Sequence, residues 1–377
     1  MKKILLYASC FLFSAIGHAQ TTVSSSFEYD GEEREYKLYI PDIYDGSQPA
    51  PLLFNLHGYG SNNLEQEVYG DFRPIADTAH FIIAHPMGLV DDFGSTHWNT
   101  FGTSSVDDVG FLSALIDTIY AAYNIDGNRI YSTGMSNGGF MSYKLACLLS
   151  GRIAAIASVT GAMTPLEFDA CITNHPMPVM EIHGTADGTV PYDGNLFFMS
   201  STDIIDHWVA FNECDPEPVI TELPDVDGSD GCTATHFVYE NGLLGSTVEH
   251  YRINDGGHTW PGSAFGGAGT NNDLNASLEI WRFFSKYKLN VLTSGIEKEA
   301  APVEFMMYPN PSNQSEVTLS FADNAVKNIA IHNSLGQVIL ETTEAASTIQ
   351  LNIEEKGMLF VTINQDGAMH TQKLVRN

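Results

Sequence analysis

Apolar residues follow three different patterns along this chain. Between residues 51 and 182 they come in short, mostly apolar runs: Pro51-Leu-Leu-Phe-Asn-Leu56, Phe81-Ile-Ile-Ala84, Ile153 to Val159 and Pro178 to Ile182. Runs of that length without polar alternation suit strands buried on both faces of a parallel sheet. Among them lie helical patterns. Val106 to Tyr123 places Val109, Leu112, Leu115 (or Ile116) and Ile119 on one face, and Phe140 to Leu149 follows the strand-like Arg129-Ile-Tyr-Ser-Thr133. Strands alternating with helices predict a doubly wound, mostly parallel α/β sheet. Ahead of it, Phe27 to Ile40 alternates apolar and polar positions about Asp30-Gly31, the pattern of a hairpin.

The second pattern begins at Cys214. A turn-rich loop, Asp225 to Gly231, is followed by alternating runs at Thr235 to Tyr239 and Thr247 to Ile253. A helix over Asn272 to Leu289 is then expected to close the domain. The third pattern is wholly alternating: Val317-Thr-Leu-Ser-Phe321, Ile329-Ala-Ile-His332, Val338-Ile-Leu340 and Met358 to Ile363. Turns at Ser334-Leu-Gly-Gln337 and Gln365-Asp-Gly367 separate these runs, so the segment predicts a small β-sandwich. The start differs from all three. Lys2 and Lys3 precede an apolar stretch from Ile4 to Ile16, and Gly17-His18-Ala19 is a small-x-small cleavage site. The stretch is too short to span a bilayer, and no other segment is apolar enough. The expected organisation is a signal peptide at 1–19, an α/β domain at 20–289, a connector at 290–304 and a β-sandwich at 305–377.

Export changes how the cysteines are read. Of five in the chain, Cys10 lies in the leader, at a spacing that fits a lipoprotein signal poorly, which leaves Cys147, Cys171, Cys214 and Cys232. An even number in an exported protein points to disulfides with three possible connectivities, the sequence-adjacent pairs Cys147–Cys171 and Cys214–Cys232 being the expected one. Free buried thiols are the alternative. No C-x-x-C spacing or nearby histidine pair suggests a metal. The acidic loop at 225–231 also fails the calcium-loop pattern, since Asp230 stands where Gly is needed and His236 where Glu is needed. A net charge of −29 excludes nucleic acid and disfavours anionic membranes as partners.

The chemistry is concentrated in Gly134-Met-Ser-Asn-Gly-Gly139, between a strand-like and a helix-like run. In that context G-x-S-x-G is a nucleophile elbow, a strained turn that lifts Ser136 above a sheet. An acid candidate, Asp187, and a base candidate, His258, follow in the order Ser, Asp, His. A serine hydroxyl becomes a nucleophile when a base takes its proton, and a carboxylate on the far side of the base fixes its tautomer. Asp193, Asp107 and Asp108 are rivals for the acid, the last two reading better as a helix start. His57 and His183 each precede a glycine at a strand end and read as structural hydrogen bonders. The oxyanion donors expected are the N–H groups of Asn137, after the serine, and of Tyr59, in His57-Gly58-Tyr59-Gly60. Trp98, Phe101, Tyr192 and Trp260 are aromatics near these motifs, with Trp98, Tyr192 and Trp260 carried forward as a substrate wall. The chemistry needs no cofactor.

Residues 35–288 resemble the polyhydroxybutyrate depolymerase-type esterases, relatives of feruloyl and acetyl xylan esterases within the α/β-hydrolase superfamily. The matching pieces are Leu56-His-Gly58, Val106-Asp-Asp-Val-Gly-Phe111, Ile125-Asp126 with Arg129-Ile-Tyr131, the Ser136 motif, His183-Gly-Thr-Ala-Asp187 with Val190-Pro-Tyr192, and Gly257-His-Thr-Trp-Pro261. The resemblance implies the triad Ser136, Asp187 and His258 and paired cysteines near these positions. Tyr59-Gly60 departs from it, because many members carry a cysteine or glycine there. The end of the chain, from Tyr308-Pro-Asn-Pro311 through Lys373-Leu-Val375, resembles the type IX secretion C-terminal sorting domain. That likeness implies secretion or display at the cell surface and the type IX machinery as a partner. A carbohydrate-binding sandwich is the bland alternative. The expected function is a secreted serine esterase acting through an acyl-enzyme on feruloyl or acetyl esters of polysaccharide. The alternatives are a polyhydroxybutyrate or polyester depolymerase, or an inactive esterase fold used for surface binding.

Overall fold

The computed structural model describes residues 20–102, 104–289, 305–333, 338–365 and 368–376. The leader, the connector and the turn at 334–337 lie outside the described residues. The chain divides into two compact units, residues 1–290 and 291–377.

The first unit opens with the expected hairpin, β1 (Thr21–Tyr29) and β2 (Glu32–Ile40). Asp30 and Gly31 both take positive φ, 52° and 82°, which matches a two-residue turn to the twist of the strands. There follow β3 (Ala50–Leu56), α1 (Asn63–Tyr69), α2 (Arg73–Ala79), β4 (Ile82–Pro86) and a small hairpin of β5 (Leu89–Val90) and β6 (Thr96–His97). Next come α3 (Asp108–Ala122), β7 (Ile125–Met135), α4 (Asn137–Leu148), β8 (Ala155–Val159), α5 (Pro165–Ala170) and β9 (Val179–Gly184). The unit ends with α6 (Ser201–Phe211), β10 (Val219–Glu222), β11 (Thr233–Tyr239), β12 (Val248–Asn254) and α7 (Ala276–Phe284).

Ten strands form one sheet in the order β1-β2-β4-β3-β7-β8-β9-β12-β11-β10. The six from β4 to β12 in that order pair in parallel, and antiparallel strands flank them on both sides. Because side chains alternate along a strand, each buried run supplies two cores. Leu52, Phe54 and Leu56 pack with Phe111, Leu115 and Phe140 on one face. Leu53 and Ile83 pack with Phe72, Phe283 and Phe284 on the other. The mostly apolar runs exist because both faces of the sheet are covered by helices.

Helix starts follow local hydrogen bonding. Asp107 caps α3 by accepting the Gly110 N–H at 2.8 Å. Asp108 turns inward instead and forms a buried ion pair with Arg34 at 2.6 Å. The closing helix is shorter than the 272–289 span expected, because Asn275 caps it by accepting the Leu278 N–H at 3.0 Å. Residues ahead of the cap serve the acidic loop: Asn272 donates to Asp227 and Asp230, and Asp273 accepts from the Val226 and Asp227 N–H groups.

Cys147, at the end of α4, is disulfide-bonded to Cys171, just past α5, across 24 positions. Closing a loop of that size contributes about 3 kcal/mol on the chain-entropy argument. The second expected pair does not form, and Cys214 and Cys232 are free and buried. The reason is the sheet. Cys214 belongs to the core on one face and Cys232 to the core on the other.

The second unit contains β13 (Phe305–Tyr308), β14 (Glu316–Phe321), β15 (Lys327–Asn333), β16 (Val338–Glu344), β17 (Thr348–Asn352), β18 (Gly357–Gln365) and β19 (Ala368–Arg376). They form two antiparallel sheets, β13-β14-β17 and β16-β15-β18-β19. Val317, Leu319, Ile329, Ile331, Val361 and Leu374 pack between them, as alternation predicts for a sandwich.

Candidate active site

β7 ends at Met135 and α4 begins at Asn137, so Ser136 makes the turn between them. Its φ of 53° and ψ of −118° lie in a region that costs a residue with a Cβ about 1–3 kcal/mol. Bonds on both sides hold it there. Its N–H donates to Val159 O in β8 at 2.8 Å, and its carbonyl accepts the Phe140 N–H at 3.0 Å. β3 passes so close beneath the turn that a Cβ on Gly134 would sit 2.6 Å from the Leu56 carbonyl oxygen, and one on Gly138 2.2 Å from it. The glycines of the motif answer to that approach.

Asn137 is buried, and its side chain is committed to the neighbouring strap. Oδ1 accepts the Trp98 N–H at 2.7 Å, while Nδ2 donates to Trp98 O at 3.1 Å and to Thr100 Oγ1 at 2.9 Å. Its backbone N–H belongs to the first turn of α4, where helical geometry supplies no acceptor. Tyr59 lies in the loop after β3 and is 54% exposed. Its hydroxyl donates to Asp91 Oδ2 at 2.7 Å, tying the loop to the β5–β6 hairpin. His57 is structural, as expected: Nε2 accepts the Gly88 N–H at 2.9 Å, so Nδ1–H donates to Gly58 O at 2.8 Å.

Asp187 sits in the loop after β9, its side chain closed to solvent. Oδ1 accepts the N–H groups of Thr189 at 2.8 Å and Val190 at 2.9 Å. Oδ2 lies 2.7 Å from His258 Nδ1 and 3.4 Å from His183 Nε2. Burial pushes this carboxyl up, but bonds from His183, His258 and the Val190 N–H outweigh it and hold the group well below the usual carboxylate range. His258 takes Asp187 rather than Asp193 as its partner. Its side chain is 21% exposed.

Ser136 and His258 line one cavity of about 420 Å³ together with Gly58 and Tyr59. The structure thus gathers three sequence-chosen residues, Ser136, His258 and Tyr59, at one opening. It does not gather the chosen aromatics. Trp98 is 0% exposed; it stacks obliquely on His57 with ring centroids 5.0 Å apart, and Nε1 donates to His57 O. Trp260 is 1% exposed and donates to Ser277 Oγ. Both fill the core instead of a substrate wall, because their indole N–H groups find buried acceptors. Tyr192 points elsewhere and donates to His250 Nε2 at 2.9 Å. Phe101 packs on Phe140 and Phe198. The apolar wall of the cavity comes from Val68 and Tyr69 in α1, from Met135 and from Phe265. Sequence reasoning missed that set, since no motif marks a short helix or a glycine-rich loop as wall. Tyr69 is tied to the His258 loop only in three dimensions, where its hydroxyl accepts the N–H of Trp260, two residues past His258.

A parallel sheet with a strained serine between strand and helix, and a histidine–carboxylate pair after later strands, defines a hydrolase of the α/β-hydrolase fold. Comparison with known proteins agrees. The probable feruloyl esterase C of Aspergillus niger is 32% identical over 213 residues, 54% of this chain and 70% of that protein. Feruloyl esterase C of Emericella nidulans is 31% identical over the same length and the same shares. The bifunctional acetylxylan esterase/xylanase of Neocallimastix patriciarum is 26% identical over 269 residues, 71% of this chain but only 36% of that longer protein. The chain belongs to the family of these feruloyl esterases and is a carboxylic ester hydrolase. Residues 306–377 match the secretion system C-terminal sorting domain, so the protein is secreted or displayed at the cell surface.

Proposed function

We propose that this protein is a serine esterase in which Ser136 is the nucleophile, His258 the general base and Asp187 its orienting carboxylate, with polysaccharide-borne feruloyl or acetyl esters as substrates. The supporting observation is the 2.7 Å contact between His258 Nδ1 and Asp187 Oδ2, beside a cavity that His258 shares with Ser136. With Nδ1 donating to the carboxylate, Nε2 is left as the lone pair that accepts the serine proton. Ser136 Oγ then bonds to the ester carbonyl carbon, and the carbonyl π pair moves onto oxygen. The N–H groups of Asn137 and Tyr59 are the proposed donors to that oxyanion. His258 returns the proton to the departing sugar alkoxide, leaving the acyl group on Ser136. Water, deprotonated by the same imidazole, repeats the sequence and releases the acid.

The substrate class rests on the relatives and on the size and apolar lining of the cavity, which suit an acyl group with an aromatic ring. A panel of methyl ferulate, acetylated xylan and polyhydroxybutyrate film tests it, with hydrolysis of the first two expected. Ser136→Ala is expected to lower p-nitrophenyl acetate hydrolysis about a millionfold and to abolish fluorophosphonate labelling. Residual activity of a few per cent would remove Ser136 from the role.

A further inference from the structure

His183 stands one residue before the end of β9, its side chain 1% exposed, and each of its ring nitrogens faces acceptors. Nδ1 lies 2.8 Å from Glu181 Oε1. Nε2 lies 2.8 Å from the Val190 carbonyl oxygen and 3.4 Å from Asp187 Oδ2. A neutral imidazole has one N–H and one lone pair. Beside an ionised Glu181 that state would aim the Nδ1 lone pair at a carboxylate oxygen in a place closed to water, at a cost comparable to a lost buried hydrogen bond. Two donors serve Glu181 Oε1 and the Val190 carbonyl oxygen and place a positive charge 3.4 Å from Asp187 Oδ2, and two donors make the imidazolium. Glu181 supplies the balancing charge; burial pushes its carboxyl above the ordinary value, and the bonds from His183 and Tyr143 oppose that rise. Its side chain is fully buried, and Oε2 accepts from the Tyr143 hydroxyl at 2.6 Å.

The remaining groups around the pair are accounted for. On β12, His250 Nδ1–H donates to the Glu181 carbonyl oxygen at 3.1 Å, and Nε2 accepts from Tyr192. Burial, with the His183 charge adding to it, pushes His250 down to about 3 and keeps it neutral. Arg252 is the register neighbour of His183 between the parallel strands β9 and β12. The Tyr192 ring stands edge-on to His183 at 5.9 Å. Beyond Asp187 lies His258.

We propose that His183 is a positioning residue, an imidazolium held by Glu181 that grips Asp187 Oδ2 from behind and keeps that carboxylate ionised and aimed at His258 Nδ1. The inference rests on the roles given to Asp187 and His258 under the proposed function. Oδ2 is then shared by two imidazoles while Oδ1 accepts two backbone N–H groups, so the carboxylate cannot rotate. The positive charge behind Asp187 also opposes a second positive charge on His258. Burial alone would lower the His183 pKa, but its bonds to Asp187 and Glu181 carry it up to about 10.

Two measurements on the full chain test this. Ring-nitrogen NMR of histidine-labelled protein at pH 8 is expected to show one ring protonated on both nitrogens, absent from His183→Asn. His183→Asn is expected to lower kcat about ten- to a hundredfold through misplacement of the base, with KM little changed. Its acid limb in kcat/KM should move upward by about half a pH unit to one unit. Glu181→Gln keeps an acceptor for Nδ1 and removes the charge. With its counter-charge gone the ring is expected to lose the doubly protonated signal at pH 8, which preserves the test if His183→Asn does not fold. A singly protonated His183 ring at pH 8 in the unaltered protein, or an acid limb that stays in place in folded His183→Asn, overturns the proposal. Failure of the parent reading looks different: Ser136→Ala would keep its activity while the doubly protonated ring remained.

Discussion

The turn that carries Ser136 and the wall across the cavity from it are built by opposite means. At the turn the backbone decides. β3 lies against it so closely that only glycine fits at 134 and 138, and bonds to β8 and α4 hold the serine at positive φ. At the wall the side chains decide. Val68 and Tyr69 ride on a seven-residue helix and Phe265 on a loop, and Phe265 is 69% exposed. Backbone constraint ties residue type to position, whereas an exposed side chain on a loop can change without disturbing the fold. The chemistry of the site is therefore fixed by the frame, and its selectivity is left open.

Gly138→Ala breaks the constrained half most severely. The added methyl would meet the Leu56 oxygen at 2.2 Å and carbon at 2.7 Å, both backbone atoms. Neither can yield without displacing β3, the strand that carries the Gly58 loop. Overpacking of this kind costs about 3 kcal/mol, and a displacement of about 1 Å at the serine costs about a hundredfold in kcat. Urea unfolding and steady-state hydrolysis measure both. A Gly138→Ala protein with normal midpoint and normal kcat would show that the close approach of β3 is not what places the serine.

The same contrast explains what could be read from the sequence. The sheet was legible because strands covered on both faces are mostly apolar, as in Leu52 to Leu56 with only Asn55 polar, and the hairpin because Asp30-Gly31 can take positive φ. The contact of Asp187 with His258 and the cavity that His258 shares with Ser136 could be anticipated because each residue adjoins a glycine in a turn or loop after a strand. The cysteines were legible only in part. Sequence adjacency favoured Cys214 with Cys232, but the sheet stands between them, and that separation depends on tertiary packing. Trp98 and Trp260 misled for a related reason. Nearness to a motif along the chain does not show which way a ring points, and each indole N–H is drawn to a buried acceptor. Glu181 was passed over, although a charged residue inside a short, mostly apolar strand signals a buried partner.

Acid sensitivity should also belong to the frame. His85 on β4 and His250 on β12 are buried, and burial pushes each down to about 3. Between that value and the ordinary histidine pKa near 6.5 the unfolded chain binds the protons that the folded chain refuses. Stability is therefore fully present above about pH 6.5 and falls by about 1.4 kcal/mol per pH unit for each such histidine as the pH drops toward 3. Tm measured from pH 7 to pH 4 should decline accordingly, and His85→Asn or His250→Gln should flatten the slope. A Tm that holds steady down to pH 4 would mean these rings take up protons in the folded state.

The smallest effect is expected at the wall, and it tests the other side of the comparison. Phe265 lines the cavity while most of its ring faces solvent, so truncation removes little buried area and leaves the β3–β7–α4 frame untouched. Phe265→Ala should therefore unfold at the wild-type temperature. Losing the part of the ring that contacts an acyl group is worth about 1 kcal/mol at the usual value per unit of apolar area, or about fivefold in KM for methyl ferulate. An acetyl group is too small to reach that far, so KM for p-nitrophenyl acetate should change less than KM for methyl ferulate while kcat stays level for both. Equal changes for the two esters, or a large fall in kcat, would show that Phe265 supports the reacting groups themselves and that frame and wall are not separable.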